Sequence, residues 1–226
     1  MAQAGIHSLI GAAVRKWTPE RTWLMLGIVL GSMLPDADNL AVAVATVVKQ
    51  PTGGLHRTFT HSLITAAAVV AVFYLISVLA RQPRWGNLGL GLGVGILMHI
   101  LLDLLIWFNG VAILWPIPSW VNFWAGVTPP GWFDKLMQST EFLFFALFFA
   151  GLAVLARRRH TDSEYLGALL IWTWVQVALF VVFTILAYTM QKGFMTPYGL
   201  VYLLSLGLAT GVTIRMRKTV EAGATG

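Results

Sequence analysis

The sequence predicts an all-α fold: a polytopic bundle of about five to seven transmembrane helices, forming a single membrane domain over residues 1–226. Three observations lead to this prediction. Hydrophobic residues make up 58% of the 226 residues and charged residues only 11%, whereas a soluble domain carries about 25% charged residues. The mean hydropathy is +0.76. Several apolar runs approach the roughly 20 residues that a helix needs to cross a bilayer.

The apolar runs can be assigned to elements in order along the chain. Residues 1–16 are expected to form a helix that is too short to span comfortably, and residues 23–34 a helix that ends at Pro35. Residues 40–48 are apolar over only about nine positions, which favours a re-entrant or interfacial segment. Full spans are expected over residues 62–80, 86–108, 141–156, 166–189 and 198–214. The Gly-rich start of the second of these allows close helix contact.

These elements divide the chain into four parts. Residues 1–108 carry the polar motifs described below. Residues 109–139 form a Trp-rich outer connection whose composition is typical of a membrane–water interface. Residues 140–214 supply scaffold helices, and residues 215–226 form a cytoplasmic tail that is expected to fray at residues 223–226.

Basic residues predict the orientation of the bundle, because Lys and Arg are enriched in cytoplasmic loops. Most of them lie in four short connections, Arg15/Lys16/Arg21, Arg81/Arg84, Arg157/Arg158/Arg159 and Arg215/Arg217/Lys218, with Lys49 and Arg57 as mild exceptions. Alternating spans place all four, and the C-terminus, on the cytoplasmic side of a bacterial or archaeal cytoplasmic (inner) membrane. Residues 35–61, 109–139 and 190–197 then face outward. This placement accounts for the net charge of +6 without a nucleic-acid partner.

Polar motifs interrupt the apolar chain at this predicted outer boundary. They are Pro35-Asp36-Ala37-Asp38-Asn39, His56-Arg57-Thr58-Phe59-Thr60-His61-Ser62 and His99-x-x-x-Asp103, and His7 adds a further imidazole. Charge inside a membrane is costly and is rarely retained without a use, so the motifs predict a functional site. His99 and Asp103 lie four residues apart on a helix and therefore offer a nitrogen and an oxygen on one face.

This set of side chains predicts a metal site. His and Asp ligands without any Cys suit Zn²⁺ as the first choice, with Mn²⁺ or Mg²⁺ as alternatives. The predicted metal ligands are His7, Asp36, Asp38, His61, His99 and Asp103. Six ligands exceed the need of one ion, so one or two ions, or one ion and a catalytic base, are expected. Asp36 and Asp38 should alternate across an extended turn after Pro35, where Asp38 either binds metal or orients a histidine.

The same motifs supply the predicted catalytic residues Arg57, His56 and Asp38. Arg57 offers a planar cation for phosphate oxygens, and His56 could protonate a leaving group. Structural explanations exist for single residues: helix–helix hydrogen bonding for His7 and helix capping for Asp36. Separate structural roles do not readily explain why all of these residues lie at the same depth in the membrane.

The motifs also resemble a known family. The early His7, Pro35-Asp36-Ala37-Asp38, His56-Arg57-x-x-Thr60-His61-Ser62 and His99-x-x-x-Asp103 resemble the YdjM-like family of bacterial inner-membrane proteins, known as membrane-bound metal-dependent hydrolases. Leu114-Trp115-Pro116 is similar to a Leu-x-Pro element of that family. The resemblance covers about residues 1–120 and implies hydrolase activity without a defined substrate.

A more distant likeness is to the zinc-dependent phospholipase C and P1-nuclease group. His7, Asp36, His61, His99 and Asp103 are similar to the ligand order of that group. The later His and His-x-x-x-Glu ligands are absent from this sequence, which favours one or two metal ions over three.

These observations predict a metal-dependent hydrolase that cleaves a phosphoester of a membrane lipid or a lipid-linked phosphate at the outer face. The alternative is a membrane metal carrier or sensor that uses the same ligands without hydrolysis. A zinc protease is disfavoured because the chain has no His-Glu-x-x-His. The sequence leaves the oligomeric state open.

Overall fold

The computed structural model of the protein describes residues 4–190 and 192–222. The helices are α1 (Ala4–Ala13), α2 (Leu24–Met33), α3 (Asn39–Val47), α4 (Leu63–Ala80), α5 (Pro83–Ile106), α6 (Gly131–Met137), α7 (Thr140–Arg159), α8 (Leu166–Thr189), α9 (Met195–Arg215) and α10 (Arg217–Glu221). Strands β1 (Val111–Ala112) and β2 (Trp120–Val121) pair antiparallel. The expected fraying of residues 223–226 lies outside the described residues.

Six helical stretches of the described chain are long and apolar enough to cross a membrane. They are Leu24–Val47, Leu63–Ala80, Pro83–Ile106, Thr140–Arg159, Ser163–Thr189 and Met195–Arg215. This confirms the predicted all-α polytopic bundle. The short helix predicted over residues 1–16 is α1, continued by a 3-10 turn at Val14–Trp17.

The extended turn predicted after Pro35 is wrong. Residues Leu34–Asp38 form a 3-10 turn that joins α2 directly to α3, the helix that occupies the short apolar segment near residues 40–48. Proline fits the first turn of a helix, because its fixed φ is helical and its missing N–H would have no intrahelical partner there. Asp36 and Asp38 are therefore both buried, at 1% and 4% exposure.

Glycines let α5 approach α2 at backbone distance. A Cβ added at Gly91 would collide with the carbonyl oxygen of Leu24, and one at Gly95 with that of Ile28. Gly27 of α2 faces the Cα of Gly91 in the same way. The close contact expected from the Gly-rich start of this span is confirmed, and the two helices run parallel because successive residues meet in the same order.

Helix α4 packs against a second row of glycines on α5. A Cβ at Gly89 would collide with the side chain of Phe73, and one at Gly93 with that of Val70. Helix α5 is therefore fixed on two sides, which sets the direction of the side chains that follow its glycines.

The basic connections gather at the end of the bundle where α2 and α5 begin. Arg15 donates a hydrogen bond to the carbonyl of Ala222 at 2.9 Å, and Arg159 donates one to the carbonyl of Thr219 at 3.1 Å. The guanidinium of Arg84 lies 4.5 Å from the ring centroid of Trp23 at the start of α2. The polar motifs lie toward the other ends of these two helices.

The connection after α5 covers the second polar motif. Its ribbon begins at β1, where the amide of Ala112 donates to the carbonyl of Arg57 at 3.0 Å. The hydroxyl of Ser62 donates to the carbonyl of Trp115 at 3.0 Å, and Ser62 caps α4 by accepting from the amide of Ile64 at 3.2 Å. The stretch expected to be a Trp-rich outer connection thus also holds in place the loop that carries the second polar motif, residues 56–62 (the motif loop).

Candidate metal centre

Helices α1, α2 and α5 and the loop before α4 bring all of the polar motifs together in one buried cluster. His7, His61 and His99 are fully buried. On α5, the positions Gly91, Gly95, His99 and Asp103 recur every four residues, so the stripe that contacts α2 continues into the site. The end of α2 and its 3-10 turn therefore lie against His99 and Asp103.

A backbone carbonyl orients His99. Its Nδ1 lies 2.7 Å from the carbonyl oxygen of Ser32, and because a carbonyl can only accept, Nδ1 carries the proton. Ser32 lies in the last turn of α2, where carbonyls have no intrahelical partner. The Nε2 atom of His99 is consequently unprotonated in the neutral ring and faces the cluster. Metal-binding histidines are usually held in this way.

A hydroxyl and a carboxylate orient His61. The hydroxyl of Thr60 donates to Asp38 Oδ2 at 2.9 Å, so its oxygen accepts from His61 Nδ1, which is 2.9 Å away. Asp38 Oδ2 lies 3.4 Å from the same nitrogen. Thr60 therefore fixes the orientation of the His61 ring. His61 Nε2 is then the second lone pair that faces the cluster.

The two imidazole Nε2 atoms lie only 3.0 Å apart. Two lone pairs at this distance repel unless a proton or a metal ion lies between them. Burial opposes a charge on His61, but the carboxylates of Asp36 and Asp38 outweigh burial and raise its pKa to about 9. The position between the rings therefore favours a cation.

Two carboxylate oxygens complete this arrangement. Asp36 Oδ1 lies 3.7 Å from His61 Nε2 and 3.8 Å from His99 Nε2. Asp103 Oδ2 lies 3.6 Å and 3.8 Å from the same two atoms. Ligand atoms about 2.0–2.1 Å from a tetrahedral Zn²⁺ are separated by about 3.3–3.4 Å. Ligand atoms of Asp36, His61 and His99 lie within 4.8 Å of one another, so these three could hold one ion, and Asp103 Oδ2 adds a fourth oxygen near both nitrogens.

The charge of the cluster fits one divalent cation. Ionised Asp36, Asp38 and Asp103 carry three negative charges and Arg57 carries one positive charge, which leaves a net charge of −2 when the histidines are in the neutral form that binds metal. Burying such an imbalance is costly, and one divalent ion removes it. Asp103 Oδ2 is also buried with no hydrogen-bond partner among the described residues, as expected for an oxygen that binds metal.

Asp38 lies one layer behind this set of atoms. Its Oδ1 accepts from His56 Nδ1 at 2.7 Å, and its Oδ2 accepts from the backbone amide of Arg57 at 3.1 Å as well as from Thr60. Both oxygens are thus occupied by the second motif. Of the two roles that the sequence allowed for Asp38, this geometry favours orienting histidines over binding metal.

His7 contacts the cluster from α1. Its Nε2 lies 3.1 Å from Asp103 Oδ1, and its ring stacks on that of His99 with centroids 3.7 Å apart. Ligand atoms of His7, His99 and Asp103 lie within 4.8 Å of one another, so the three could hold an ion. The hydrogen bond makes His7 a support for Asp103, and its predicted role as a metal ligand stays a prediction.

His56 and Arg57 border the cluster on the side of the motif loop. The His56 side chain is 20% exposed, more than the other cluster side chains, and within the described chain its Nε2 has no hydrogen-bond partner. Arg57 is 3% exposed, and its Nε lies 3.5 Å from Asp103 Oδ2. Its φ of +62° is strained for a non-glycine residue. Such strain is typical of residues whose position has a functional use.

A second buried polar group, which was not predicted from the sequence, lies beside the cluster. Glu141, at the start of α7, is fully buried, and its Oε1 accepts from the amide of Gly5 at 2.8 Å. Its Oε2 and the hydroxyls of Tyr198 and Tyr202 have no hydrogen-bond partner in the part of the chain that the structure describes. An acid in the first turn of an apolar span was the available sequence signal, and it was interpreted only as the start of a span.

Comparison with known proteins gives a family match. The model of the family described as YdjM inner membrane protein matches residues 2–213. The match extends well beyond residues 1–120, where the motifs carry the resemblance, and includes the scaffold helices. Its description names a membrane location and no reaction. No curated protein and no solved structure matches the chain.

Proposed function

The chain belongs to the YdjM inner membrane protein family, and on that premise we propose that it is a metal-dependent hydrolase that cleaves a phosphoester of a membrane lipid. It is a multi-pass inner membrane protein. The proposed metal ligands are Asp36, His61, His99 and Asp103, which would hold one divalent ion, with Zn²⁺ as the first choice.

A single observation carries the proposal. The Nε2 atoms of His61 and His99 face each other at 3.0 Å while the other nitrogen of each ring is bound to an acceptor. A proton shared between the two rings would also bridge this 3.0 Å contact, but Asp36 Oδ1 and Asp103 Oδ2 each lie 3.6–3.8 Å from both nitrogens, and two converging carboxylates favour a divalent ion over a single proton. The arrangement is the one that metal-binding histidines require.

A bound ion would activate water, and Arg57 would stabilise the negative charge of the phosphate. A bound divalent ion supplies a Lewis acid and lowers the pKa of a bound water to about 7. Arg57 brings a buried guanidinium to within 3.5 Å of Asp103, so it lies beside the ligand atoms, where it would neutralise phosphate oxygens. Its rigid planar fork suits a phosphate better than an ammonium group does.

His56 would protonate the leaving group. Asp38 accepts from its Nδ1 at 2.7 Å and would stabilise the imidazolium, leaving the Nε2–H available as the acid. In the reaction, a water oxygen forms a bond to phosphorus and the phosphorus–oxygen bond to the alcohol breaks. The His56 proton goes to the departing oxygen, and the water proton is released to solvent.

The separation of charges along the bundle supports an outer-face site. The basic connections gather at the end where α2 and α5 begin, and the cluster lies toward the other end. Since Lys and Arg favour the cytoplasmic side, the cluster and a lipid head group would meet at the outer boundary, and the C-terminus would be cytoplasmic.

The alternative of a metal carrier or sensor uses the same ligands. The backbone contact between α2 and α5 at Gly91 and Gly95 argues against carriage, because it leaves no space for a polar path between these two helices. Uptake of metal into proteoliposomes without phosphoester hydrolysis would favour a carrier.

The test is an assay of the purified protein in detergent with added Zn²⁺ or Mn²⁺, on phosphatidic acid and on a polyprenyl phosphate. We expect phosphate release that His99→Ala and Asp103→Ala each lower by about a thousandfold, the scale of losing a catalytic electrostatic group. Matched controls are His160→Ala and Asp134→Ala, which alter exposed residues outside the cluster and should leave activity unchanged. Full activity in both cluster variants would exclude the proposed centre.

A further inference from the structure

Two arginines, one after α1 and one at the end of α7, lie side by side at the end of the bundle where the basic connections gather (the basic end). Arg15 Nε donates to the carbonyl oxygen of Ala222 at 2.9 Å, and Arg159 Nη1 donates to the same oxygen at 2.6 Å. A carbonyl carries no formal charge, so this contact brings two positive charges together without neutralising either. The orientation of the bundle would require only that both residues lie in cytoplasmic connections, not that they meet.

Carboxylates compensate little of this paired charge. Among the described residues, the one carboxylate within 4 Å of either guanidinium is that of Glu20, 3.6 Å from Arg15 Nη2, and its side chain is 73% exposed. An ion pair with so exposed a partner contributes little. The Glu221 carboxylate faces backbone amides at the start of α2 instead. An anion next to Arg15 and Arg159 would therefore be stabilised.

Both guanidinium groups keep donors for such an anion. Arg15 Nη1 donates to the carbonyl of Thr18 at 2.9 Å and its Nη2 to that of Glu221 at 3.0 Å, which fixes the side chain and leaves one hydrogen on each nitrogen. In the part of the chain that the structure describes, Arg159 Nε and Nη2 donate no hydrogen bond. The arginines thus offer donors that need no rearrangement to bind an anion.

An apolar cleft of about 300 Å³ between α1 and α7 ends at these charges. Seven of its ten lining residues are apolar, and the other three are Arg15, Lys16 and Arg159. A Cβ added at Gly151, in the middle of α7, would meet no neighbouring atom within 4 Å, so the cleft is open there. Helix α7 is one of the stretches that are long and apolar enough to cross a membrane, so a ligand over Gly151 would meet hydrocarbon on its open side.

We propose that this cleft binds an anionic phospholipid from the leaflet at the basic end, with its phosphate at Arg15, Lys16 and Arg159 and an acyl chain over Gly151. Basic pockets between membrane helices bind anionic head groups in this way, and planar guanidinium groups match phosphate oxygens. A soluble anion would use only the charges, and a zwitterionic lipid would bring its own cation to them. The site lies at the opposite end of the bundle from the metal cluster and does not depend on the proposed function.

Native mass spectrometry of the full chain in detergent, stripped of lipid, tests the role of charge. Dioleoyl phosphatidylglycerol and dioleoyl phosphatidylcholine have the same acyl chains, and we expect one phosphatidylglycerol per chain, bound about tenfold more tightly. Arg159→Gln should weaken its binding about tenfold, the scale of losing a hydrogen bond to a charged group. Arg158→Gln alters an exposed neighbour that does not line the cleft and should bind as the wild type does. Equal affinity of the two variants, or no preference for the anionic lipid, would overturn the proposal.

Filling the cleft tests the role of the acyl chain. Gly151→Leu would occupy the open position and leave the hydrogen bonds of both arginines in place, so it decides the question even if Arg159→Gln loosens α10. We expect phosphatidylglycerol to bind about tenfold more weakly, the loss when about two methylenes lose their buried contacts. Gly199→Leu on α9 is the control, because an added Cβ there also meets no neighbouring atom within 4 Å. Unchanged binding in Gly151→Leu, or displacement of the lipid by inorganic phosphate, would indicate a site for a free anion and overturn the phospholipid assignment.

Discussion

The two halves of the bundle pack by opposite means. In the N-terminal half, α2 and α5 meet through glycines, so that backbone touches backbone. In the C-terminal half, α7, α8 and α9 meet through large rings. The ring centroids of Phe142, Phe183 and Tyr198 lie 4.9–5.9 Å from one another. The catalytic cluster that we propose lies entirely in the glycine-packed half.

This difference separates the positioning of the site from the stability of the bundle. A glycine contact fixes the relative position of two helices, because any added atom would meet backbone that cannot move aside. An aromatic contact contributes mainly buried area and dispersion, and a neighbouring side chain can relax around a change. Substitutions in the first half should therefore disturb the site, and substitutions in the second half should mainly lower the free energy of unfolding.

The largest effect is expected at the glycine contact. Gly95→Val would place side-chain atoms against the backbone of Ile28 and Ser32, which forces α2 away from α5 and separates Ser32 from His99. We expect metal content and phosphoester hydrolysis to fall to background, measured by elemental analysis and the activity assay. The matched control is Gly211→Val on α9, where an added Cβ meets no described neighbouring atom within 4 Å. Metal content that falls equally in both variants would refute the special role of the glycine contact.

An aromatic truncation should lower stability and spare the site. Phe183 is 4% exposed, and Phe183→Ala should reduce the free energy of unfolding in mixed micelles by about 3 kcal/mol. Metal content per folded molecule should stay at the wild-type value. Phe123→Ala, at a residue that is 60% exposed, serves as the control with little change in stability. Loss of metal from folded Phe183→Ala would contradict the separation of the two halves.

A smaller effect is expected one layer behind the proposed ligands. Asp38→Asn keeps the shape of the side chain but weakens its hydrogen bonds to His56 and Thr60. We expect zinc affinity to fall about 10–100-fold, as for other residues that orient metal-binding histidines. Chelator competition measures this, with the exposed Asp134→Asn as control. Complete loss of zinc binding would instead identify Asp38 as a ligand.

The smallest effect is expected at the helix cap of the motif loop. Ser62→Ala removes the side chain that accepts from the amide of Ile64, and should lower the free energy of unfolding by about 1 kcal/mol. The exposed Ser163→Ala should leave stability unchanged. Equal stability of the two variants would show that the cap does not contribute.

Local periodicity was enough to predict some parts of the site. The i, i+4 spacing of His99 and Asp103 indicated one helical face, and the Gly-rich start of α5 indicated a close helix contact. The contact of Ser32 with His99 could not be predicted, because its acceptor is a backbone carbonyl and carries no side-chain signature. The proximity of His7 to Asp103 joins residues 96 positions apart and depends on how α1 packs.

The extended turn after Pro35 shows a different limit. Proline breaks a helix when it lies in the interior, but it fits the first turn of a new helix. Only the surrounding packing decides which of these two outcomes occurs at Pro35. Because the turn is 3-10, Asp36 and Asp38 both face inward, and Asp38 reaches residues of the motif loop 18 to 22 positions away. Their separate roles follow from this geometry and not from their spacing.

X-ray absorption spectroscopy of the zinc-loaded protein tests the central claim most directly. The account predicts one zinc per chain with two imidazole nitrogens and carboxylate oxygens in its first shell, and only one imidazole, if metal is retained at all, in His99→Ala. A wild-type protein that binds no zinc, or binds it without imidazole ligands, would contradict the account.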